Sequence, residues 1–464
     1  MVQPLNLVKP LFTPPLDPGF RPASLANRAF RKDAAGVGVP LVIGLECNDG
    51  EIGRFETFVF PEGHPRSGED LYYIERIVKF LLWQCGGWKV YIGGPIFIAE
   101  HICKVYSAYG LRKFDFHFMG VQVYEKTFTV VTCEPSEVPP AHHTGRQLGR
   151  HLDGCRIGLD LGASDRKVSA MVDGRVIYSE EVIWEPGKHA DPEYHYSEVM
   201  AALKTAASKM PRVDAIGGSS AGIFIDNRPM VASLFRLIPP ERYGEIKNMF
   251  LRIRDELNVP LEVINDGDVT ALAGSMSLED NAILGIAMGS SEATGYVDAH
   301  GHILGWLNEM AFAPVDFGPN APADEWSGDI GVGSLYFSQQ CVFRLAPKAG
   351  ITIPDGIPDI EKLKYVQEKL EAGHTGATQI WQCMGIYLGY ALALYADFYD
   401  IKHILILGRC TSGHGGDLIL DGAYQVLKSE FPELASKVNV QLPDEINRLV
   451  GQSIAAASLP SLSK

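Results

Sequence analysis

The order of elements along the second part of the chain most constrains what it can fold into. From residue 155 three strand-like segments follow one another, CRIGLDLG, RKVSAMV and RVIYSEEVIW. The last two are joined through Asp173-Gly174, a hairpin signal. The spacing then predicts a helix in YHYSEVMAALKTAASKM, a short apolar strand ending in a glycine turn in VDAIGGSSAG, a helix in RYGEIKNMFLRIRDEL, a strand in LEVI and a helix in GDVTALAGSM. The same order returns. AILGIAMGSS, TGYVDA and GHILG read as strands. After an irregular stretch come the apolar helix ATQIWQCMGIYLGYALALYADFY, the strand IKHILILG, the helix GDLILDGAYQVLKSEF, the strand VNVQLP and the helix NRLVGQSIAAASL. Two successive βββαβαβα units indicate an internal duplication. The expected fold is α/β, with one lobe at 155–281 and a second at 282–444. The C-terminal helix 445–460 is expected to pack on the first lobe. The openings GLDLGASD and IAMGSSEA then face each other, and strand ends meeting across a cleft are where α/β folds take ligands.

Ahead of the duplication, residues 39–135 alternate strands (VPLVIGLE, RFETFVF, KVYIGG, FDFHFMG, FTVVT) with helices (DLYYIERIVKFLLWQ, AEHICKVYSAYG) and read as an additional N-terminal α/β domain. KVYIGGP resembles the ends of the other central strands, so a degenerate third copy of the same fold is one reading. Residues 1–38 are rich in proline and read as an extended arm lying on the surface or on a partner subunit. Residues 136–154 form a polar, proline-containing linker.

Charge narrows the choice of ligand. Lys and Arg number 41 against 56 Asp and Glu, a net charge of −15. Such a chain repels nucleic acid and anionic membrane surfaces. An anionic ligand must then meet backbone amides or a bound cation. No apolar run reaches the ~18 residues of a membrane span, and the proline-broken N-terminus lacks a secretory signal. The eight cysteines include no C-x-x-C pair, which fits buried thiols in a reducing, cytoplasmic setting. Apolar helices and the proline-rich arm make a homodimer plausible.

Four turns carry candidate chemistry. Asp160 sits inside the apolar strand GLDLG, where an acid is costly unless compensated. A water-mediated Mg²⁺ would compensate it, and the small residues Gly162-Ala163-Ser164 let N–H groups approach phosphate. A hairpin turn with an edge Asp would look the same. Asn265-Asp266 follows a strand and opens a helix. An Asp in that field is favoured as the anion and can accept a proton from a hydroxyl, although both residues are also preferred helix caps. Gly289-Ser290-Ser291 ends IAMG and can hold a phosphate or simply turn a hairpin. Glu292 follows at once and would repel a triphosphate. Gly408-Arg409 opens a glycine-rich turn ahead of a helix, where a flat ring or phosphate could approach a helix N-terminus and Arg409 could stack on a base or pair with phosphate. The same turn could be a simple connection. Glu309, in GWLNEMAF, could accept two sugar hydroxyls, or be an ordinary surface carboxylate.

In order and spacing, Asp160 with its small-residue turn, Asn265-Asp266, the Gly289 turn, Glu309 and the Gly408 turn resemble the ROK family of sugar kinases and sugar-responsive repressors, of the actin-like ATPase superfamily. The resemblance covers about 155–460. It implies two RNase H-like lobes that hold ATP and a sugar. On that likeness Asp160 helps place Mg²⁺, while Gly162, Ser164, Gly289 and Ser290 line the phosphates. Gly408, with Arg409, lies beside the adenosine. Asp266 is the general base, and Asn265, Glu309 and Gly218 serve the substrate.

The chain departs from the family pattern in ways that bear on function. The two phosphate turns, usually Gly-Gly-Thr and Gly-Thr-Gly, read Gly162-Ala163-Ser164 and Gly289-Ser290-Ser291. Phe312 stands where the family commonly has a histidine that binds sugar or zinc. The stretch DFGPNAPADEWSGDIGVGS has no cysteine, so structural zinc is not expected. Arg409 replaces a paired glycine. No helix-turn-helix precedes residue 155, which argues against a DNA-binding repressor. The leading expectation is an ATP-dependent kinase of a hexose or related sugar. Its rivals are a noncatalytic sugar- or nucleotide-binding protein on the same scaffold and a kinase of a non-sugar alcohol.

Overall fold

The computed structural model describes residues 2–48, 50–143, 145, 148–442 and 445–462. Thr144, Arg146 and Gln147 of the linker expected at 136–154 lie outside them, as do Pro443 and Asp444 ahead of the C-terminal helix. The chain forms two compact units, each assembled from three segments. One comprises 1–144, 286–294 and 306–442; the other comprises 145–285, 295–305 and 443–464. The α/β segment at 39–135 therefore clusters with much of the expected second lobe.

The N-terminal arm is not extended throughout. Residues 23–35 are free of proline and form α1 (Ala23–Ala35), which buries Ala23, Ala26, Phe30 and Ala34. That helical spacing prevails once the prolines end. Upstream of it, Phe12 N–H donates to the Tyr390 hydroxyl at 3.1 Å and Asp17 accepts from Tyr387 at 2.7 Å, so the arm is laid on its own chain.

Four strands follow: β1 (Val39–Glu46), β2 (Ile52–Val59), β3 (Lys89–Gly93) and β4 (Thr129–Cys133), in the sheet order β2-β1-β3-β4. Helices α2 (Ser67–Gln84), α3 (Ile96–Val105) and α4 (Lys113–His117) connect them. FDFHFMG is helical, not a strand, comprising α4 and a π-type turn at Phe118–Val123. Its alternating pattern also spaces Phe114 and Phe118 four apart, and both rings stack on Trp83; tertiary packing decides between the two periods. β1 pairs antiparallel with β3. In the sheet of the second unit the corresponding central pair, β5 (Cys155–Leu161) with β8 (Ala215–Ser220), is parallel, so the N-terminal sheet does not repeat that pattern.

The second unit holds β5 (Cys155–Leu161), β6 (Asp165–Val172), β7 (Arg175–Ile183), α5 (Pro192–Ala207), β8 (Ala215–Ser220), the hairpin β9 (Ile223–Ile225) and β10 (Arg228–Val231), α6 (Tyr243–Lys247), α7 (Met249–Leu257), β11 (Leu261–Asn265) and α8 (Asp266–Leu278). The single helix expected over RYGEIKNMFLRIRDEL is broken at Asn248, which joins α6 to α7. The sheet order is β11-β8-β5-β6-β7, with β5 parallel to β8 and β8 parallel to β11. One face packs on α5 and α7 through Leu159, Val263, Leu203 and Ile253.

The remaining strands are β12 (Ile283–Met288), β13 (Glu292–Val297), β14 (His403–Leu407) and β15 (Asn439–Gln441), in the order β13-β12-β14-β15. This order matches β6-β5-β8-β11, so the duplication is visible in the core of each sheet. GHILG is not the third strand of the second copy. Only Ile303 makes a bridge, because Gly301 and Gly305 on either side take positive φ and break the extended run. Helices α9 (Gln339–Leu345), α10 (Asp359–Glu371), α11 (Thr375–Tyr395), α12 (His414–Glu430) and α13 (Pro432–Ala435) complete the first unit. Gly385 and Gly389, one turn apart on α11, let α12 approach at Ile419 and Val426. The last helix, α14 (Glu445–Ala457), packs on β5, β8 and α8 in the second unit.

The loop 313–333, where the resemblance would put the family's zinc loop, is tied to α2 and Arg112 by ion pairs. Its Asp329 accepts from Arg76 of α2 at 3.1 Å and from Arg112 at 2.6 Å, with Lys79 of α2 at 3.6 Å. Glu75 and Asp115 complete a buried set of three cations and three carboxylates. Each charge there is paired, the condition under which buried ions are tolerated. Phe312, in the place of the family histidine, packs against Trp83 and Trp326 with ring centroids 4.5 and 5.0 Å apart.

Candidate active site

In the second unit, the carboxyl ends of β5, β8 and β11 lie side by side. The register pairs Asp160 with Ser219, and Ser220 with Leu161 on one side and Asn265 on the other. Asp160 is half-buried. Burial is the main influence on its carboxyl and raises its pKa; Lys167 and a hydrogen bond from Ser219 oppose the rise. Asp266 is the first residue of α8. Its Oδ1 accepts the Gly267 N–H at 3.0 Å. Burial first, then the charge of Asp160, pushes its pKa up to about 6, against the backbone N–H groups of Gly267 and Asp266. The strand ends thus bring Asp160 close enough for its charge to raise the pKa of Asp266.

Asn265 caps α8. Its Oδ1 accepts from Gly267 N–H at 2.7 Å, and its Nδ2 donates to Gly222 O at 2.8 Å. The cap fixes the amide, whose second N–H and second lone pair can serve a ligand. The turn after β5 is tight: Gly162 N–H donates to Asp165 O at 2.9 Å, and the exposed Ser164 hydroxyl donates to Asp165 Oδ2 at 2.8 Å. Trp184 braces it, with Nε1–H donating to Gly162 O at 2.8 Å and its own N–H donating to Ser164 O at 3.3 Å. Sequence reading missed Trp184. Its one signal was a tryptophan ending an otherwise exposed edge strand, RVIYSEEVIW. Gly218 is a packing residue: it lies between Leu159 and Val263, and a Cβ there would stand 2.8 Å from the Val263 side chain. Its lack of a side chain is used by this packing.

In the first unit, Gly289 turns β12 into β13 with its N–H donating to Ser291 O at 3.0 Å, and Ser290 is exposed. Gly408 ends β14 beside the same turn. Its φ is +102°, and a Cβ would stand 2.5 Å from Met288 O. Arg409 is exposed, with its carbonyl accepting from Gln367 at 2.8 Å. The glycines that follow are not open to a ring. A side chain at Gly415 would overlap Trp381, and one at Gly416 would stand 2.5 Å from Thr411 O. Nor is the N-terminus of α12 an open anion site: Glu371 accepts His414 N–H at 3.1 Å.

Glu292 does not point at the phosphate turn's exterior. It is buried, 3% exposed, with Oε1 accepting from the Tyr395 hydroxyl at 3.2 Å. Burial foremost, helped by Glu309, raises its pKa to about 8. Burial thus favours its neutral form, which weakens the repulsion expected from its position in sequence. Glu309 is half-buried at the start of a short 3₁₀ turn, its N–H donating to Trp83 O at 2.9 Å.

Among the described residues, no three His, Cys, Asp or Glu side chains gather as a metal cage. Asp160 and Asp266 offer hard oxygen donors in pairs, which suits a Mg²⁺ that keeps most of its water. No helix of the described residues is long and apolar enough to cross a membrane.

No family model matches the chain, and no curated protein does. Solved structures do. A ROK hexokinase from Thermus thermophilus matches with a TM-score of 0.52 and 15% identity, over 66% of this chain and 97% of that one. A ROK family transcriptional regulator, a homologue of the E. coli MLC protein, matches with 0.52 and 16%, over 66% and 79%. The likeness defines the fold: this chain is an α/β protein with the actin-like ATPase fold seen in ROK proteins. The match covers about two thirds of it.

Proposed function

We propose that the protein is an ATP-dependent kinase that phosphorylates a hydroxyl of a hexose or related sugar. The observation that carries this reading is the presence of Asp160 and Asp266 at the same end of one sheet, on β5 and just past β11, the two strands that flank β8, with Asp266 at a helix N-terminus and its pKa pushed up to about 6. A base with that pKa is ionised at neutral pH yet still basic enough to take a proton. Asp266 accepts the hydroxyl proton. The freed oxygen bonds to the γ-phosphorus of ATP as the bond to the bridging oxygen of ADP breaks. Asp160, oriented by Ser219, is the residue that holds Mg²⁺, which when bound offsets charge on the phosphates. Gly162, Ser164, Gly289 and Ser290 contact phosphates, with Trp184 keeping the first of these turns in shape. Asn265 and Glu309 bind the sugar, and Gly408 and Arg409 bind the adenosine.

A second reading, a noncatalytic sugar or nucleotide binder, draws support from the closed Gly162 turn, the Glu371 cap on α12 and the equal likeness to a regulator. A coupled ADP-release assay over a panel of hexoses and amino sugars, with the wild type and Asp266→Asn, separates the two. Turnover that Asp266→Asn abolishes supports the kinase. Sugar or nucleotide binding without turnover, for every sugar, selects the binder.

A further inference from the structure

On β5 and β8 the same pattern repeats in register. Gly158 is followed two residues later by Asp160, and Gly217 two residues later by Ser219; Gly158 pairs with Gly217, and Asp160 with Ser219. Residues two apart share a sheet face, so both glycines and both polar residues face the same side. That side is covered by α14. A side chain at Gly158 would overlap the Ser453 carbonyl oxygen, and one at Gly217 would overlap that of Ala456. The two glycines thus seat the helix backbone directly on the sheet and fix its register.

With α14 so placed, Gln452 lies over the next pair of residues. Its Nε2–H donates to Ser219 Oγ at 3.3 Å. Ser219 is fully buried and is the register partner of Asp160, on the same face of the sheet, where its hydroxyl acts on the Asp160 carboxyl to lower its pKa. A serine hydroxyl has one proton. With Gln452 donating to its oxygen, that proton is left to point at Asp160.

We propose that Gln452 is a positioning residue: through Ser219 it orients the Asp160 carboxylate for Mg²⁺, so that the C-terminal helix is part of the metal site's support. This rests on the kinase reading for the role of Asp160. Partners that orient a ligating carboxylate typically change metal affinity by about tenfold or more when removed.

The test is a double-mutant cycle on the full chain, made from Gln452→Met, which keeps length and volume, and Ser219→Ala. Calorimetry would measure binding of a nonhydrolysable ATP analogue as a function of Mg²⁺, and urea unfolding would measure stability. Gln452→Met should weaken Mg²⁺-dependent binding about tenfold in the wild-type background and by less than about twofold in the Ser219→Ala background. Equal losses in both backgrounds, or none in either, would overturn the relay while leaving the kinase reading intact. A loss that simply follows unfolding stability would also overturn it, because a helix that merely packs has no reason to act through Ser219. A wild-type chain that binds no Mg²⁺-nucleotide would overturn both.

Discussion

Replacing Asp266 by Asn should make the protein more stable and catalytically dead. The carboxyl has a folded pKa of about 6 against an ordinary value of 3.8. Its neutral form is therefore the one the fold prefers. Below pH 3.8 the residue is protonated folded or unfolded, and the shift has no effect. As pH rises from 3.8 to about 6, the unfolded chain releases its proton first, and stability falls. Above pH 6 the loss is complete. A shift of about two units corresponds to at most about 3 kcal/mol, and access of water to this half-buried group reduces it. Asn retains an oxygen to accept the Gly267 N–H, so the helix start survives. Urea unfolding should thus show Asp266→Asn gaining about 1–3 kcal/mol at pH 7 and nothing at pH 3. Turnover should fall by roughly 10²–10⁴, and kcat/KM of the wild type should rise with pH through about 6. A variant less stable than wild type at pH 7 would refute the burial argument. Near-normal turnover would refute the base.

Other outcomes follow from the same structure. Glu292→Gln should raise the melting temperature at pH 9, where the buried wild-type acid is forced to ionise, and the gain should shrink as pH falls from about 8 and vanish below 4.5, as scanning calorimetry can measure. Asp329→Asn leaves Arg76, Lys79 and Arg112 with two carboxylates among them, and urea unfolding should show a loss of about 3–5 kcal/mol. Gly408→Ala places a Cβ 2.5 Å from Met288 O at a φ of +102° and should cost about 2 kcal/mol or more in the same assay.

The succession of strands and helices along the duplicated part, GHILG apart, was legible because apolar runs such as CRIGLDL and HILIL end in small-residue turns. The placement of Asp160 and Asn265-Asp266 at strand ends followed from the same signal. The rest depended on partners distant in sequence. Nothing local to FDFHFMG shows that Trp83 selects its helical period. Nothing local to Glu292 shows that its carboxyl lies beside Tyr395, so a residue next to a phosphate turn looked like an obstacle. The glycines at 415 and 416 looked like ligand clearance, yet the room they leave is used by Trp381 and Thr411. A glycine is silent about what comes near it; the identity of the neighbour is tertiary information.

Neither compact unit is a continuous stretch of chain. The one that contains the N-terminus is completed only by residues ending at 442, and the other closes only with the last twenty or so. During synthesis the first strands, at 39–133, must therefore wait for roughly three to four hundred residues before their unit can finish, at a few to about twenty residues per second. No single cut would release either half as a self-sufficient piece, and a nascent chain halted anywhere before residue 442 would leave both cores unfinished instead of one finished domain.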